Sequence, residues 1–223
     1  MKTSIAILAL LVLLVSCDTN KKYLINGSII GELNEEWIYI EKFYGTKYQM
    51  DSARLIDGKF RIEGSVDYPE LYFLHNHPDR NKGLFAFYLE PGIMDIVVDA
   101  ENWNLKTKIS GGFVNSEYNE IIREPGISFI NKVNDLLQQK THADINESVE
   151  LDRTINELMD ELKYFELEYV STNPDSPISP FLLARHFNNI PIDTAGILLE
   201  GFSSDVKQTS IYLKLFEQYS KIK

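Results

Sequence analysis

The hydrophobic pattern of this chain changes period once, and that change sets the fold class. Up to about Gly112 short apolar segments are broken by turn residues, and Lys59-Phe60-Arg61-Ile62-Glu63 alternates with period two, Phe60 and Ile62 on one face and charges on the other. Tyr23-Leu24-Ile25, Trp37-Ile38-Tyr39-Ile40, Leu71-Tyr72-Phe73-Leu74, Phe85-Ala86-Phe87-Tyr88-Leu89 and the run 93–98 read as further strands. Asp57-Gly58 predicts a two-residue hairpin turn, because a type I′ turn needs positive φ at both central residues. From Asn115 the period is helical. Leu151, Ile155, Leu158, Leu162, Phe165 and Tyr169 follow at spacings of 4, 3, 4, 3 and 4, one face of a long helix. Asn173-Pro174-Asp175-Ser176-Pro177 stops it, and Ser179-Pro180 starts a short one. A further helix is predicted from about Asp205 to the end. An earlier one, from Ser116 to about Gln139, is expected to break at Pro125-Gly126. The fold class is β + α: an antiparallel β-sandwich or partly open barrel over 23–112, then an all-helical segment over 113–223.

The first residues read as an export signal. Lys2 precedes an apolar run over 5–15, about half the ~20 residues a spanning helix needs. Leu14-Val15-Ser16-Cys17 resembles the bacterial lipobox, in which a small residue precedes a cysteine that is lipidated and becomes the new N-terminus. On that reading 1–16 is a lipoprotein signal peptide and 17–22 a lipidated tether, holding the chain to the bilayer through Cys17. Several acyl chains anchor far more firmly than one.

Cys17 is also the one cysteine in the sequence. Dithiol redox chemistry, thiolate metal sites and, once Cys17 is lipidated, cysteine nucleophiles are excluded. Charge excludes more: 22 Lys and Arg stand against 33 Asp and Glu, a net −11, which offers no broad footprint for nucleic acid or anionic headgroups.

His75-Asn76-His77 is the one histidine pair. Two residues apart on a strand, the imidazoles share a face and can meet one metal, with Asp79 or Glu90 as a third ligand. The competing reading is a solvated strand end running into the exposed loop 78–83. Glu35-Glu36 lies in a polar turn, and Glu157, Asp160, Glu161, Glu166 and Glu168 read as a solvated helix face. There is no G-x-S-x-G elbow, and Gly111-Gly112 lacks the spacing and the Lys of a phosphate loop. Tyr72, Phe73, Phe85, Phe87 and Tyr88, with Trp37, Tyr39, Phe43, Tyr44 and Tyr48, crowd the β half. They form either an interaction surface or the packing between sheet and helices.

The segment Asp51-Ser52-Ala53-Arg54-Leu55-Ile56-Asp57-Gly58-Lys59-Phe60 carries a family resemblance. With it go Ile25-Asn26-Gly27-Ser28, Tyr88-Leu89-Glu90-Pro91-Gly92, Ile109-Ser110-Gly111-Gly112 before Asn115, and Asn173-Pro174-Asp175-Ser176-Pro177. Together they resemble the N-terminal β domain of unknown function, and the helical segment after it, in Bacteroidota thioredoxin-like thiol–disulfide oxidoreductase lipoproteins. In that family a thioredoxin-like domain with a C-x-x-C motif follows. This sequence has no such motif, so the family's catalytic residues map onto nothing here. The expectation is a lipid-anchored envelope protein, on the outer membrane or the periplasmic face of the inner one. It is expected to be non-catalytic, without a cofactor, and to bind a protein partner as an adaptor accessory to envelope oxidoreductases. The alternative is a small-molecule or metal-binding protein, or an enzyme, whose site forms only in three dimensions, for instance around His75 and His77.

Overall fold

Asp57 and Gly58 sit at φ 50° and 69°, the pair of left-handed residues a type I′ turn demands. Ile56 and Lys59 exchange both backbone hydrogen bonds across it at 2.9 Å. The turn is the one the sequence predicts, but the strands it joins part company. In the computed structural model, which describes residues 21–44, 50–76 and 84–223, β3 (Met50–Arg54) belongs to one sheet and β4 (Lys59–Ser65) to another. The hairpin signal marks a corner between sheets.

The first sheet has the order β4, β1 (Lys22–Ile30), β7 (Gly92–Asp99), β8 (Lys108–Ser110). The second has the order β3, β2 (Trp37–Lys42), β5 (Glu70–His75), β6 (Phe85–Leu89). Pairing is antiparallel, as expected, except that β1 and β7 run parallel. A parallel pair needs a long crossover, and here the chain supplies it by running through β2 to β6, which make the whole second sheet and the β4 edge of the first, before β7 comes back beside β1. Ile25, Phe60, Ile62 and Met94 from one sheet meet Ile38, Leu74, Phe85 and Phe87 from the other in a core between them. Trp103, in the short α1 (Trp103–Lys106), joins this core and donates from Nε1 to the Leu74 carbonyl at 3.2 Å.

The first sheet turns Lys59, Arg61 and Glu63 to solvent, whereas β5 and β6 of the second are covered on both sides. Leu71 and Tyr88 point away from the inter-sheet core and pack with Val170, Leu182, Leu183 and Leu215 of the helical part. That is why Leu71-Tyr72-Phe73-Leu74 and 85–89 read as unbroken apolar runs rather than alternating ones.

The helical part begins with α2 (Phe113–Tyr118) and runs through a π turn (Asn119–Arg123) into α3 (Glu124–Lys140). The expected break at Pro125-Gly126 does not occur. Proline lacks an N–H and crowds the carbonyl four residues back; the wider π turn just before it accommodates both without ending the helix. α4 (Ile145–Thr172) starts at Asp144, whose side chain accepts from the Glu147 N–H at 3.0 Å. Its stripe is only half-buried, and Phe165 is 42% exposed. The early turns of α4 pack on α3, which buries no residue of its own. α5 (Ser179–His186) and α6 (Ile192–Gly201) follow. The last helix, α7 (Ser210–Ile222), starts later than the pattern predicts. Thr209 caps it, accepting from the Tyr212 N–H at 3.4 Å, and Val206–Gln208 is a separate 3₁₀ turn. No helix among the described residues is long and apolar enough to cross a membrane.

The corner turn gives a direct test. A Cβ at Gly58 meets nothing closer than 3.8 Å, so Gly58→Ala carries only the left-handed backbone penalty, about 1–2 kcal/mol. It should lower the urea midpoint accordingly, while Asp57→Gly should leave it unchanged or raise it.

Candidate functional site

Cys17, His77, Asp79 and Tyr48 lie outside the described residues. His75 does not sit at a solvated strand end: it is 1% exposed, its ring stacks on Tyr39 with centroids 5.4 Å apart, and Nε2 lies 3.8 Å from a Glu41 carboxylate oxygen. Glu90, the other ligand suggested for it, is engaged elsewhere. Among the described residues no three His, Cys, Asp or Glu side chains are grouped to hold a metal. Of the five aromatics offered as an interaction surface, Tyr72, Phe85, Phe87 and Tyr88 are buried and Phe73 is half-buried. The first three face the inter-sheet core or its rim and Tyr88 the helical core. Phe73 meets Phe43 edge-on at 5.1 Å. These side chains pack β5 and β6 of the second sheet, whose two faces the protein itself covers there.

Glu90 and Asn115 form a latch between sheet and helices. The Glu90 carboxylate accepts from the N–H groups of Val114, at 3.2 Å, and Asn115, at 3.0 Å. It thereby does for α2 what an N-cap side chain does from within the chain. The Asn115 amide donates to the Tyr88 carbonyl at 2.6 Å, and its oxygen accepts from the Tyr88 N–H at 2.8 Å. Gly112, at φ 88°, leaves room for this: a Cβ there would lie 2.2 Å from Glu90 Oε1. The sequence signal was the set Tyr88-Leu89-Glu90 and Gly111-Gly112 before Asn115, which one contact network unites.

Glu166 corrects a second expectation. It is 2% exposed, not on a solvated face, and its oxygens meet Arg185 Nη1 and His186 Nε2, each at 2.6 Å. The spacing carried the signal, since Glu166 follows Leu162 by four and so lies on the stripe.

Two cavities, about 490 and 480 Å³, share Asp67 and Tyr68 in their walls, so that together they make a groove where the sheets meet the helices. One end is lined by Phe113, Glu117, Asp175, Ser176 and Asp205. There Glu117 accepts from Tyr169 Oη at 2.5 Å and from Ser176 Oγ at 3.2 Å. The other end is lined by Tyr23, Lys42, Asp51, Glu70, Tyr72 and Ser210. Lys42 Nζ lies 2.8 Å from Glu70, which also accepts from the Ser210 N–H and hydroxyl at 3.0 Å, tying β5 to the start of α7. Burial, then the Asp51 carboxylate, pushes the Tyr23 phenol up to about 12. Burial, then Tyr23 and Glu70, does the same for Tyr72. Both phenols are therefore hydrogen-bonding groups at neutral pH rather than bases.

Two measurements check this geometry. Glu90→Ala leaves buried donors without an acceptor and should cost about 1–3 kcal/mol in urea unfolding, with Glu90→Gln losing less. Tyr23 and Tyr72 ionise near 12 in the fold and near 10 when unfolded. Their contribution is thus fully present below pH 10 and lost as pH rises from there toward 12. The Tyr23→Phe/Tyr72→Phe variant should show a shallower alkaline fall in urea midpoint, with two fewer late-titrating phenols in the absorbance at 295 nm.

No curated protein matches this chain. Residues 23–118 match the family described as Domain of unknown function (DUF4369). The match runs beyond the last strand through α2, so it takes in the Glu90–Asn115 latch along with both sheets.

Proposed function

We propose that this chain is a membrane-tethered, non-catalytic binding module of the cell envelope, lipid-anchored at Cys17 and docking a protein partner along the groove at Asp67 and Tyr68. The groove carries this reading. Its two cavities, each within the ~300–1,000 Å³ of a small-molecule pocket, join at Asp67 and Tyr68 into one longer recess. Its titratable groups are arranged to hold rather than to react: Lys42 with Glu70, Glu117 with Tyr169 and Ser176, and phenols that stay protonated. The anchor is supported by the apolar run over 5–15 and Leu14-Val15-Ser16-Cys17. A tether of this kind raises the effective concentration of the module near other membrane-bound proteins. The resemblance to oxidoreductase lipoproteins gives the partner its class, a thioredoxin-fold protein of the same envelope carrying the dithiol this chain lacks.

Anchor and groove are tested separately. Wild-type protein should sediment with membranes and incorporate labelled palmitate, and Cys17→Ala should do neither; membrane retention of that variant would sink the anchor. A photo-crosslinking residue at Tyr68 should give a discrete adduct in native envelopes, weakened by Cys17→Ala. The same residue at Glu63, on the solvent face of the first sheet, should give none, and equal labelling from both positions would sink the docking groove.

A further inference from the structure

The largest cleft described, about 840 Å³, shares no lining residue with the groove. Its walls are the first sheet, through Ile30, Val97, Lys108 and Ile109, and the helical run, through Asn119, Arg123 and Ile127. We propose that this cleft binds an organic carboxylate with an apolar chain, the carboxylate on Arg123, Thr107 and Lys108 and the chain along Ile30 and Leu105. This goes beyond the docking of a partner and does not depend on it.

Charge comes first. Lys106, Lys108 and Arg123 line the cleft against Asp99 and Glu124, a local positive excess in a chain of net −11. Asp99 is already occupied, accepting from the N–H groups of Glu101 at 3.1 Å and Asn102 at 2.7 Å. Arg123 is held in place from one side. Its guanidinium carbon lies 4.7 Å from the Phe85 ring centroid, and Nη2 donates to the carbonyls of Asn104, at 3.1 Å, and Thr107. Nε and Nη1 make no hydrogen bond among the described residues, so each keeps N–H groups that can donate singly to a carboxylate, while both two-donor edges of the fork include the occupied Nη2.

The second observation is independent of charge. Thr107 is fully buried and its hydroxyl has no hydrogen-bond partner; the buried Asn119 Oδ1 has none either. Both residues line this cleft. Buried polar groups are nearly always paired, so the orphaned Thr107 hydroxyl beside an arginine asks for a group to complete it. A hydroxyl can donate to an anion, whereas the Asn119 Oδ1 is an acceptor and takes no bond from a carboxylate. Asn119 and Arg123 are also the two ends of the π turn, a distortion that recurs at functional sites. The apolar half of the ligand follows from Ile30 and Leu105, which are 61% and 55% exposed at the rim.

Octanoate is the probe, titrated by calorimetry into the full chain carrying Cys17→Ala so that no attached lipid competes. Saturable one-to-one binding is expected, with octylammonium and octanol at least tenfold weaker and inorganic phosphate unable to compete. Lys108→Glu, an exposed change, should weaken octanoate about tenfold with the melting temperature unchanged. Thr107→Val should hold or raise the melting temperature of the unliganded protein, since it removes an unpartnered hydroxyl, and still weaken octanoate. Arg123→Gln should abolish binding; if it fails to fold, the other two variants decide. Equal binding of octanoate and octanol, competition by phosphate alone, or affinities untouched by Lys108→Glu and Thr107→Val would each overturn the proposal.

Discussion

β6 is an edge strand that is buried, and an edge strand's backbone must find partners. At Tyr88 it finds them in a side chain. The Asn115 amide bonds the Tyr88 N–H and carbonyl together, as a neighbouring strand would. Much of the molecule hangs on that substitution. Asn115 can reach β6 only because α2 begins where it does, and α2 begins there because Glu90, at the end of β6, accepts its first N–H groups. Gly112 must lack a Cβ for Glu90 to fit. The helical run is thus bonded to the sheet it covers before any apolar packing is counted, and Tyr88 can then enter the helical core.

The same coupling explains what the sequence made legible. Strands that alternate, such as 59–63, and helices with a full stripe, such as α4, declared themselves because each has one wet face. Asp57-Gly58 fixed the turn but not the pairing, since φ at two residues says nothing about which sheet the flanking strands join. The β1–β7 parallel pair was invisible for the same reason: it is a consequence of return order, not of composition. Pro125 misled because a proline breaks a helix only when the ladder around it stays α, and the π turn removes that condition. Glu166 misled because its charge outweighed its position on the stripe, where Arg185 and His186 were waiting to neutralise it.

Buried charge in this protein joins elements rather than simply stabilising them. Glu166 of α4 meets Arg185 and His186 at the end of α5, and Glu70 of β5 meets Lys42 of β2 and the first N–H of α7. Desolvation offsets much of the attraction in such pairs, so their clearest effect is on which arrangement forms. An apolar core between sheet and helices would tolerate some sliding. A carboxylate that must meet a particular ammonium and a particular helix N-terminus does not, and this is what gives the groove beside Glu70 a fixed shape.

The two recesses then have one origin. A layer of helices covers β5 and β6 of the second sheet and is pinned at β6 and at Glu70, while the first sheet keeps a solvent-facing side. Where the helical layer passes the ends of the sandwich, space is left near Tyr68; where it crosses beside β8, space is left beneath the π turn. The groups lining them differ in one respect that matters for chemistry. Near Tyr68 the polar side chains are largely bonded to one another, which suits a surface that meets a partner without reorganising. Beneath the π turn the Thr107 hydroxyl is left unpaired beside Arg123, an arrangement that stores the cost of a lost hydrogen bond until an acceptor arrives. A fold pinned at so few polar points can hold such a site open because neither pin lies within it, and the cleft is free to differ in charge from the rest of an acidic chain.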